Sequence, residues 1–281
     1  MPLPEEADLR TQGRWPPPEG PRVAIVGSRR PSPYGEAVAE QLASDLARAG
    51  VVVISGLALG IDAAAHRGSL SGGGATIAVM GTGVDIVYPA SHCRLAEEIL
   101  AAGGALVSQF PDGTPPRRHN FPARNWTIAA LSDVVVVVEA AEGSGALITA
   151  EAALELHKDV MAVPGSVFSP LSVGTHALIR DGAGLAQNSR DVLAALGAIR
   201  EVLDDPLAAP KGLGLELATE RDGIAAHLSD VLPLSAAEIA RKLHLPIAEV
   251  VGRLTAMELD GAVRRHHEGY VRALRPGKQR A

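Results

Sequence analysis

Two clusters of arginine and four glycine-rich turns hold the chemistry legible in this chain. Arg29 and Arg30 come directly after the apolar run Val23–Val26 and the pair Gly27-Ser28, while Arg117, Arg118 and Arg124 sit in the stretch Pro-Pro-Arg-Arg-His-Asn-Phe-Pro-Ala-Arg-Asn-Trp over 115–126. A cationic loop at the carboxyl end of a strand and ahead of a helix lies where open α/β sheets hold their ligands. The dinucleotide spacing G-x-G-x-x-G is absent after Gly27, so the expected ligand is an anion handled by guanidinium groups and not a buried NAD. Arginines interleaved with Phe121 and Trp126 suit single-stranded nucleic acid, with guanidinium groups on phosphates and rings on bases. A solvated loop, with Phe121 tucked into the core, explains Arg117 and Arg118 equally well. Trp126 fits helix burial as well as stacking, and Arg124-Asn125 at a helix start favours function.

The four turns are Gly27-Ser28-Arg29, Ser55-Gly56-Leu57, Gly81-Thr82-Gly83 and Gly143-Ser144-Gly145. Small residues with free amides at strand ends form anion-binding concavities, and four along one sheet rim would make a groove suited to a polymer backbone. Any one of them alone is better explained as a glycine closing a tight strand-to-helix turn. Asp62 and His66, one helical turn apart, have the spacing of an acid/base pair or of two metal ligands. No third ligand stands at a suitable spacing, so Asp62 is expected to fix its helix start and loop, and His66 to bond locally. Glu139, Glu142 and Glu151 surround the Gly143 turn and are the candidates for a catalytic carboxylate; Ser144, Thr149 and Glu151 also have an ordinary role in a helix start.

These residues need a scaffold, and the apolar runs supply it. Val23–Val26, Val51–Ile54, Ala75–Met80, Ala105–Ser108, Val134–Glu139 and Val160–Val163 are nearly continuous in Val, Ile and Ala, the pattern of strands covered on both faces. Helical stretches alternate with them: Tyr34–Ala49, Ile61–Leu70, Ser91–Ala102, Ala123–Leu131, Ala146–Lys158 and a last one at Ser189–Leu196. The expected class is α/β, a doubly wound, mostly parallel sheet. After a proline- and glycine-rich stretch, Ser235–Leu243 opens with a capping box of Ser235 and Glu238, Ile247–Leu259 forms a second helix, and Val263–Ala273 alternates like a hairpin, together a winged-helix pattern. The boundaries are a lead-in over 1–20, an α/β domain over 21–200, a linker over 201–229, a winged helix over 230–275 and a tail over 276–281.

Composition narrows the classes further. Net charge is −6, with nine Lys/Arg against six Asp/Glu from Asp230 onward and 17 against 26 before it, so any nucleic-acid contact must come from a local patch. The single cysteine, Cys93, leaves no disulfide framework and fits a reducing cytoplasm, with a buried thiol expected. The acidic, proline-rich first 20 residues lack the form of a secretory signal, and no apolar run approaches a membrane span.

As a set, Val23-Ala24-Ile25-Val26-Gly27-Ser28-Arg29, Ser55-Gly56-Leu57-Ala58, Gly60-Ile61-Asp62-Ala63-Ala64-Ala65-His66, Gly81 to Pro89, Phe121-Pro122-Ala123-Arg124-Asn125, Ser144 to Glu151 and Val163-Pro164-Gly165 resemble the DNA-processing protein A (DprA/Smf) family, over about residues 20 to 195 and in the family's order. The resemblance implies a Rossmann-like domain with a winged helix, and a homodimeric, non-catalytic, cofactor-free protein of natural transformation that binds incoming single-stranded DNA and loads RecA onto it. It makes Arg29 a main DNA contact and puts Arg124 in the same cleft, beside Gly27, Ser28, Ser55, Gly56, Gly81, Gly83, Arg117, Arg118, Asn125, Ser144 and Gly145. Trp126, Leu59 and Ala90 stand where relatives commonly have basic residues, which should flatten the salt dependence of DNA binding; Arg94 and Arg118 are the cations to compensate. Many members carry a helical N-terminal domain, for which the residues ahead of the first strand leave no room. In the winged helix, Ile247–Leu259 offers Glu249 and Glu258 against Arg253, and the basic residues sit in the hairpin, so a protein-contacting or weakly DNA-contacting module is expected. Two other functions compete: an enzyme of the nucleoside-monophosphate phosphoribohydrolase type, whose P-G-G-x-G-T stretch this chain lacks, and a nucleotide-sensing transcription factor resting on the winged helix.

Overall fold

A computed structural model describes residues 6–197, 234–243, 247–259, 263–266 and 269–272. The linker and tail expected from the sequence lie outside the described residues. The chain divides into two compact units, 1–207 and 208–281.

In the first unit strands and helices alternate: β1 (Arg10–Gly13), β2 (Arg22–Val26), α1 (Pro33–Arg48), β3 (Val52–Ser55), α2 (Ile61–Ser71), β4 (Thr76–Val79), α3 (Cys93–Ala101), β5 (Ala105–Ser108), α4 (Asn120–Leu131), β6 (Val134–Val137), α5 (Gly145–Glu155), β7 (Asp159–Ala162), α6 (Val173–Arg180), β8 (Gly184–Leu185) and α7 (Ser189–Ala195). The sheet order is β1-β5-β4-β3-β2-β6-β7-β8, parallel except for β1. This is the doubly wound sheet that the apolar runs imply. Its strand order reverses between β2 and β6, the place where such folds open a crevice.

Both faces of the sheet are covered. Val26, Ile54, Val79 and Val137 pack with Ile128 of α4 and Ala150 of α5 on one side. Val23, Ile25, Val53 and Val136 pack with Leu42 of α1 and Ile61 of α2 on the other, and Leu95 and Ile99 of α3 close the β4–β5 end of that side.

Three sequence expectations are corrected. Part of the supposed lead-in is an edge strand: Arg10–Gly13 pairs antiparallel with β5, Thr11 opposite Val107. All four of its residues are exposed, so no apolar pattern announced it. Cys93 is exposed, because α3 turns Leu95, Ala96 and Ile99 inward and leaves Cys93 and Glu97, four residues apart, on the solvent side. Helix α6 went unread, since its eight residues bury only Gly174 and Thr175.

Two polar contacts lock helices to the sheet. Glu139, 3% exposed, accepts from the Ser32 amide (2.8 Å) and hydroxyl (2.5 Å), and Ser32 in turn caps α1 by accepting from the Gly35 amide (3.1 Å). His66 is fully buried, with Nδ1 2.8 Å from the Thr76 hydroxyl. That hydroxyl donates to the Val53 carbonyl (2.7 Å), so His66 is the donor in its pair with Thr76.

In the second unit α8 (Ala236–Leu243), α9 (Ile247–Leu259) and the hairpin β9 (Val263–His266)–β10 (Gly269–Arg272) enclose Ile239, Val250, Leu254, Val263 and Tyr270. The capping box forms: the Ser235 amide and hydroxyl donate to Glu238 at 2.8 and 2.7 Å, and the Glu238 amide donates to the Ser235 hydroxyl at 3.3 Å.

Burial lowers the His66 pKa from 6.5 to about 3, with the nearby charges of His92, Arg124 and Arg67 adding to the shift. The folded chain excludes the protonated ring and the unfolded chain accepts it. The residue's contribution to stability is therefore complete above pH 6.5 and drains away as pH falls toward about 3. Between pH 7.5 and 5.0 the wild type should lose about 2 kcal/mol more than His66→Gln, read from urea unfolding at both pH values. Parallel losses in the two proteins would contradict it.

Candidate nucleic-acid interface

The loops after β2, β3, β4 and β6 stand side by side along the carboxyl edge of the sheet, in the spatial order β4, β3, β2, β6. Two cavities open there. The larger, about 390 Å³, lies between the β2 loop and the start of α5 and is lined by Gly27, Ser28, Arg29, Asn125, Ser144 and Gly145 among others. The smaller, about 90 Å³, is lined by Gly56, Leu59, Gly81, Tyr88 and Phe121. Arg29, Ala58 and Arg124 line both, so the two form one groove that crosses the switch point.

Arg124 is the pillar between them. Only 4% exposed, it donates from Nη1 to the carbonyls of Gly56 and Val79, each at 2.6 Å, and from Nε to Asn125 Oδ1 at 3.1 Å. It thus ties the ends of β3 and β4 to the first turns of α4. Gly56 permits this: a Cβ there would stand about 2.5 Å from the Asp62 carboxylate and 2.6 Å from the Arg124 guanidinium. Asp62 is itself buried and accepts from the Ala58 amide at 3.2 Å. Burial pushes the Asp62 carboxyl up, against the opposing pull of Arg124, the Ala58 amide and Ser55. Burial likewise pulls Arg124 down, with Asp62 opposing. Each charge is what makes the other tolerable in this setting.

Arg29 differs from Arg124 in every respect that matters for a ligand. It is exposed, forms no ion pair among the described residues although its charge reaches the Asp62 carboxyl, and holds its guanidinium over the Phe121 ring, 5.4 Å from the centroid. Tyr88, 49% exposed, lies 5.7 Å from the same ring. A cation over an aromatic pair is an arrangement that accepts a phosphate and an adjacent base together. Tyr88 was not singled out as a site residue in the sequence, although it falls within the Gly81 to Pro89 motif.

The other expected residues divide. Ser144 caps α5, accepting from the Ala146 amide (3.4 Å), and Asn125 donates to the Gly145 carbonyl (2.9 Å), both at the larger cavity. Ser55 and Gly83 line neither cavity: the Ser55 hydroxyl donates to the Ile25 carbonyl (2.6 Å), and the Gly83 amide, expected to be free, donates to the Thr114 carbonyl (3.0 Å). Arg117 and Arg118 are exposed and also line neither. Arg94, one proposed compensation for the lost cations, is paired with Glu98 at 2.8 Å. Trp126 packs against the core, which resolves its ambiguity toward burial. Of the candidate catalytic carboxylates, Glu139 is engaged by Ser32, Glu151 is exposed outside both cavities, and only Glu142 lines the larger one. Among the described residues no cluster of three or more His, Cys, Asp or Glu could hold a metal ion, and no helix is long and apolar enough to cross a membrane.

Sheet order and switch-point groove define a Rossmann-like α/β protein whose crevice presents an exposed arginine. Residues 7–197 match the family described as DNA recombination-mediator protein A, and residues 208–269 match the DprA winged helix domain. The chain belongs to this DprA/Smf family. It is 40% identical over 260 residues to Protein Smf of Escherichia coli K12, covering 90% of this chain and 68% of that protein. It is 41% identical over 264 residues to the putative DNA processing protein DprA of Mycobacterium tuberculosis, covering 92% and 66%. The chain thus spans about two thirds of the length of these curated relatives. Among solved structures it is similar to DprA of Streptococcus pneumoniae (46% identity, TM-score 0.59, 62% of this chain and 61% of that one). It is also similar to the Helicobacter pylori DprA described for its single-stranded DNA binding mode (32% identity, TM-score 0.61, 68% and 86%).

The two arginines should separate in a stability assay. Arg124→Met leaves two carbonyls without their donor, removes the positive charge near Asp62, and should lower unfolding free energy by about 3 kcal/mol. Arg29→Ala should stay within about 0.5 kcal/mol of wild type. Equal losses in urea unfolding would contradict the division of roles.

Proposed function

We propose that this protein binds single-stranded DNA without regard to sequence in the groove across β4, β3, β2 and β6. It acts there as a cytoplasmic, non-enzymatic mediator that, as a homodimer through its Rossmann-like domain, loads RecA onto incoming DNA in natural transformation. The observation that carries the DNA reading is Arg29: an exposed guanidinium outside any ion pair among the described residues, over the Phe121 ring beside the exposed Tyr88, at the junction of both cavities. One point of the groove can thereby take a phosphate and a base face, which every single strand offers in every sequence. The single-stranded DNA binding described for the Helicobacter pylori relative supports the same polymer. Gly27, Ser28, Gly56, Gly81, Asn125, Ser144 and Gly145 form the walls, and Arg124 holds their spacing. RecA loading, transformation and dimerisation rest on family membership. With the domains divided at 21–200 and 230–275, the acidic Glu249 and Glu258 in the sequence of its second helix support a protein-contacting or weakly DNA-contacting winged helix.

Binding of fluorescent oligo-dT by wild type and Arg29→Ala across a salt series tests this. Arg29→Ala should weaken binding at least tenfold at low salt and reduce the slope of log affinity against log salt by about 0.7, the share of one phosphate contact on a single strand. Unchanged affinity and slope would overturn the reading, and so would a preference for one duplex sequence.

A further inference from the structure

The larger cavity holds features that a DNA groove does not use. Thr149, 1% exposed, is part of its lining, and its hydroxyl makes no hydrogen bond among the described residues. The sole fully enclosed orphaned polar atom among them is His66 Nε2, so the Thr149 hydroxyl reaches the cavity surface. Arg124, 4% exposed and also in the lining, has every hydrogen bond on Nη1 and Nε, which leaves Nη2 without a partner among the described residues. Two polar side chains of this lining, each more than nine-tenths buried, therefore keep unused donors. A buried donor without a partner is unfavourable unless a ligand or water completes it.

Charge narrows the ligand. The α5 start and Arg29 attract an anion, yet Glu142 stands exposed in the same lining and is paired with no cation among the described residues. A carboxylate facing a DNA strand meets phosphates and no sugar hydroxyls, so for DNA alone Glu142 is repulsive. It becomes useful when the ligand carries vicinal hydroxyl donors, the role an acidic residue plays toward ribose in other switch-point crevices. Val26 and Ile128 add an apolar wall for a base, and about 390 Å³ lies at the lower end of the roughly 300–1,000 Å³ of small-ligand pockets.

We propose that the larger cavity also takes a ribonucleoside 5′-monophosphate, with the phosphate at the first turn of α5, Thr149 and Arg29, and the ribose hydroxyls donating to Glu142. The site stands independently of the polymer reading. One consequence rests on that reading: Arg29 and Arg124 line both cavities, so a bound nucleotide draws on the cations that hold DNA and weakens its binding.

The test is calorimetric titration of the intact chain with AMP, GMP, CMP, UMP, dAMP and inorganic phosphate, alongside oligo-dT binding. At least one ribonucleotide should bind once per chain. AMP should bind about fivefold more tightly than dAMP, the worth of one hydrogen bond, with inorganic phosphate weaker than both. Thr149→Val, which exchanges the hydroxyl for a methyl group, should weaken the nucleotide about fivefold. Glu142→Gln should erase the preference for ribose over deoxyribose. Absence of binding by all four ribonucleotides at millimolar concentration overturns the proposal, as does binding indifferent to both Thr149→Val and the 2′-hydroxyl. A wild type that binds oligo-dT but no nucleotide sinks this site and leaves the polymer reading standing. Thr149-dependent nucleotide binding without oligo-dT binding does the reverse. Saturating nucleotide that leaves oligo-dT affinity untouched refutes the shared use of Arg29.

Discussion

A buried guanidinium at the carboxyl edge of the sheet sets the geometry of everything around it. Arg124 reaches from α4 to the carbonyls of Gly56 and Val79, and so holds the ends of β3 and β4 and the loops that leave them at one spacing. Those carbonyls would otherwise be strand-end acceptors without donors, and the guanidinium would be a cation removed from water. Asp62, Gly56 and Arg124 solve both problems together, which is why the loop between them admits no side chain at 56. The groove is rigid where Arg124 stands and open where Arg29 stands.

The doubly wound order turns this local arrangement into a surface. Because β2 is central and the order reverses beyond it, the loops after β2 and β6 diverge and leave the larger cavity, while those after β3 and β4 stay close and leave the smaller. Arg29, on the β2 loop, is the cation that the topology delivers to both. Helix α1 is pinned behind that loop by the Glu139–Ser32 contact, so the loop is anchored at its far end without Arg29 being immobilised.

Much of this was legible in the sequence, for identifiable reasons. Strands buried on both faces read as apolar runs, so β2 to β7 could be placed, with Ala105–Ser108 matched at both ends. Exposed pairing leaves no such mark: β1, with four exposed residues, and the two-residue β8 were invisible for that reason. The site divides in the same way. Residue type identified Arg29 and Arg124 alike as cations at loops, but only burial separates a structural guanidinium from a ligand-facing one. Likewise Gly83 and Ser55 have the composition of an anion-binding turn, and their hydrogen bonds to Thr114 and from Ser55 to Ile25 are long-range facts that spacing cannot carry. Tyr88 needs the fold to bring it from the β4 loop to Phe121 on α4.

The central claim is that a single strand lies along this groove with its bases against the Phe121 and Tyr88 rings. Photocrosslinking of the intact chain to a thymidine oligonucleotide carrying 5-iodouracil, followed by peptide mapping, addresses it directly. The account predicts crosslinks at Phe121 and Tyr88 that vanish when unlabelled oligonucleotide competes. Crosslinks confined to residues 208–281 would contradict it and move the DNA site to the winged-helix unit.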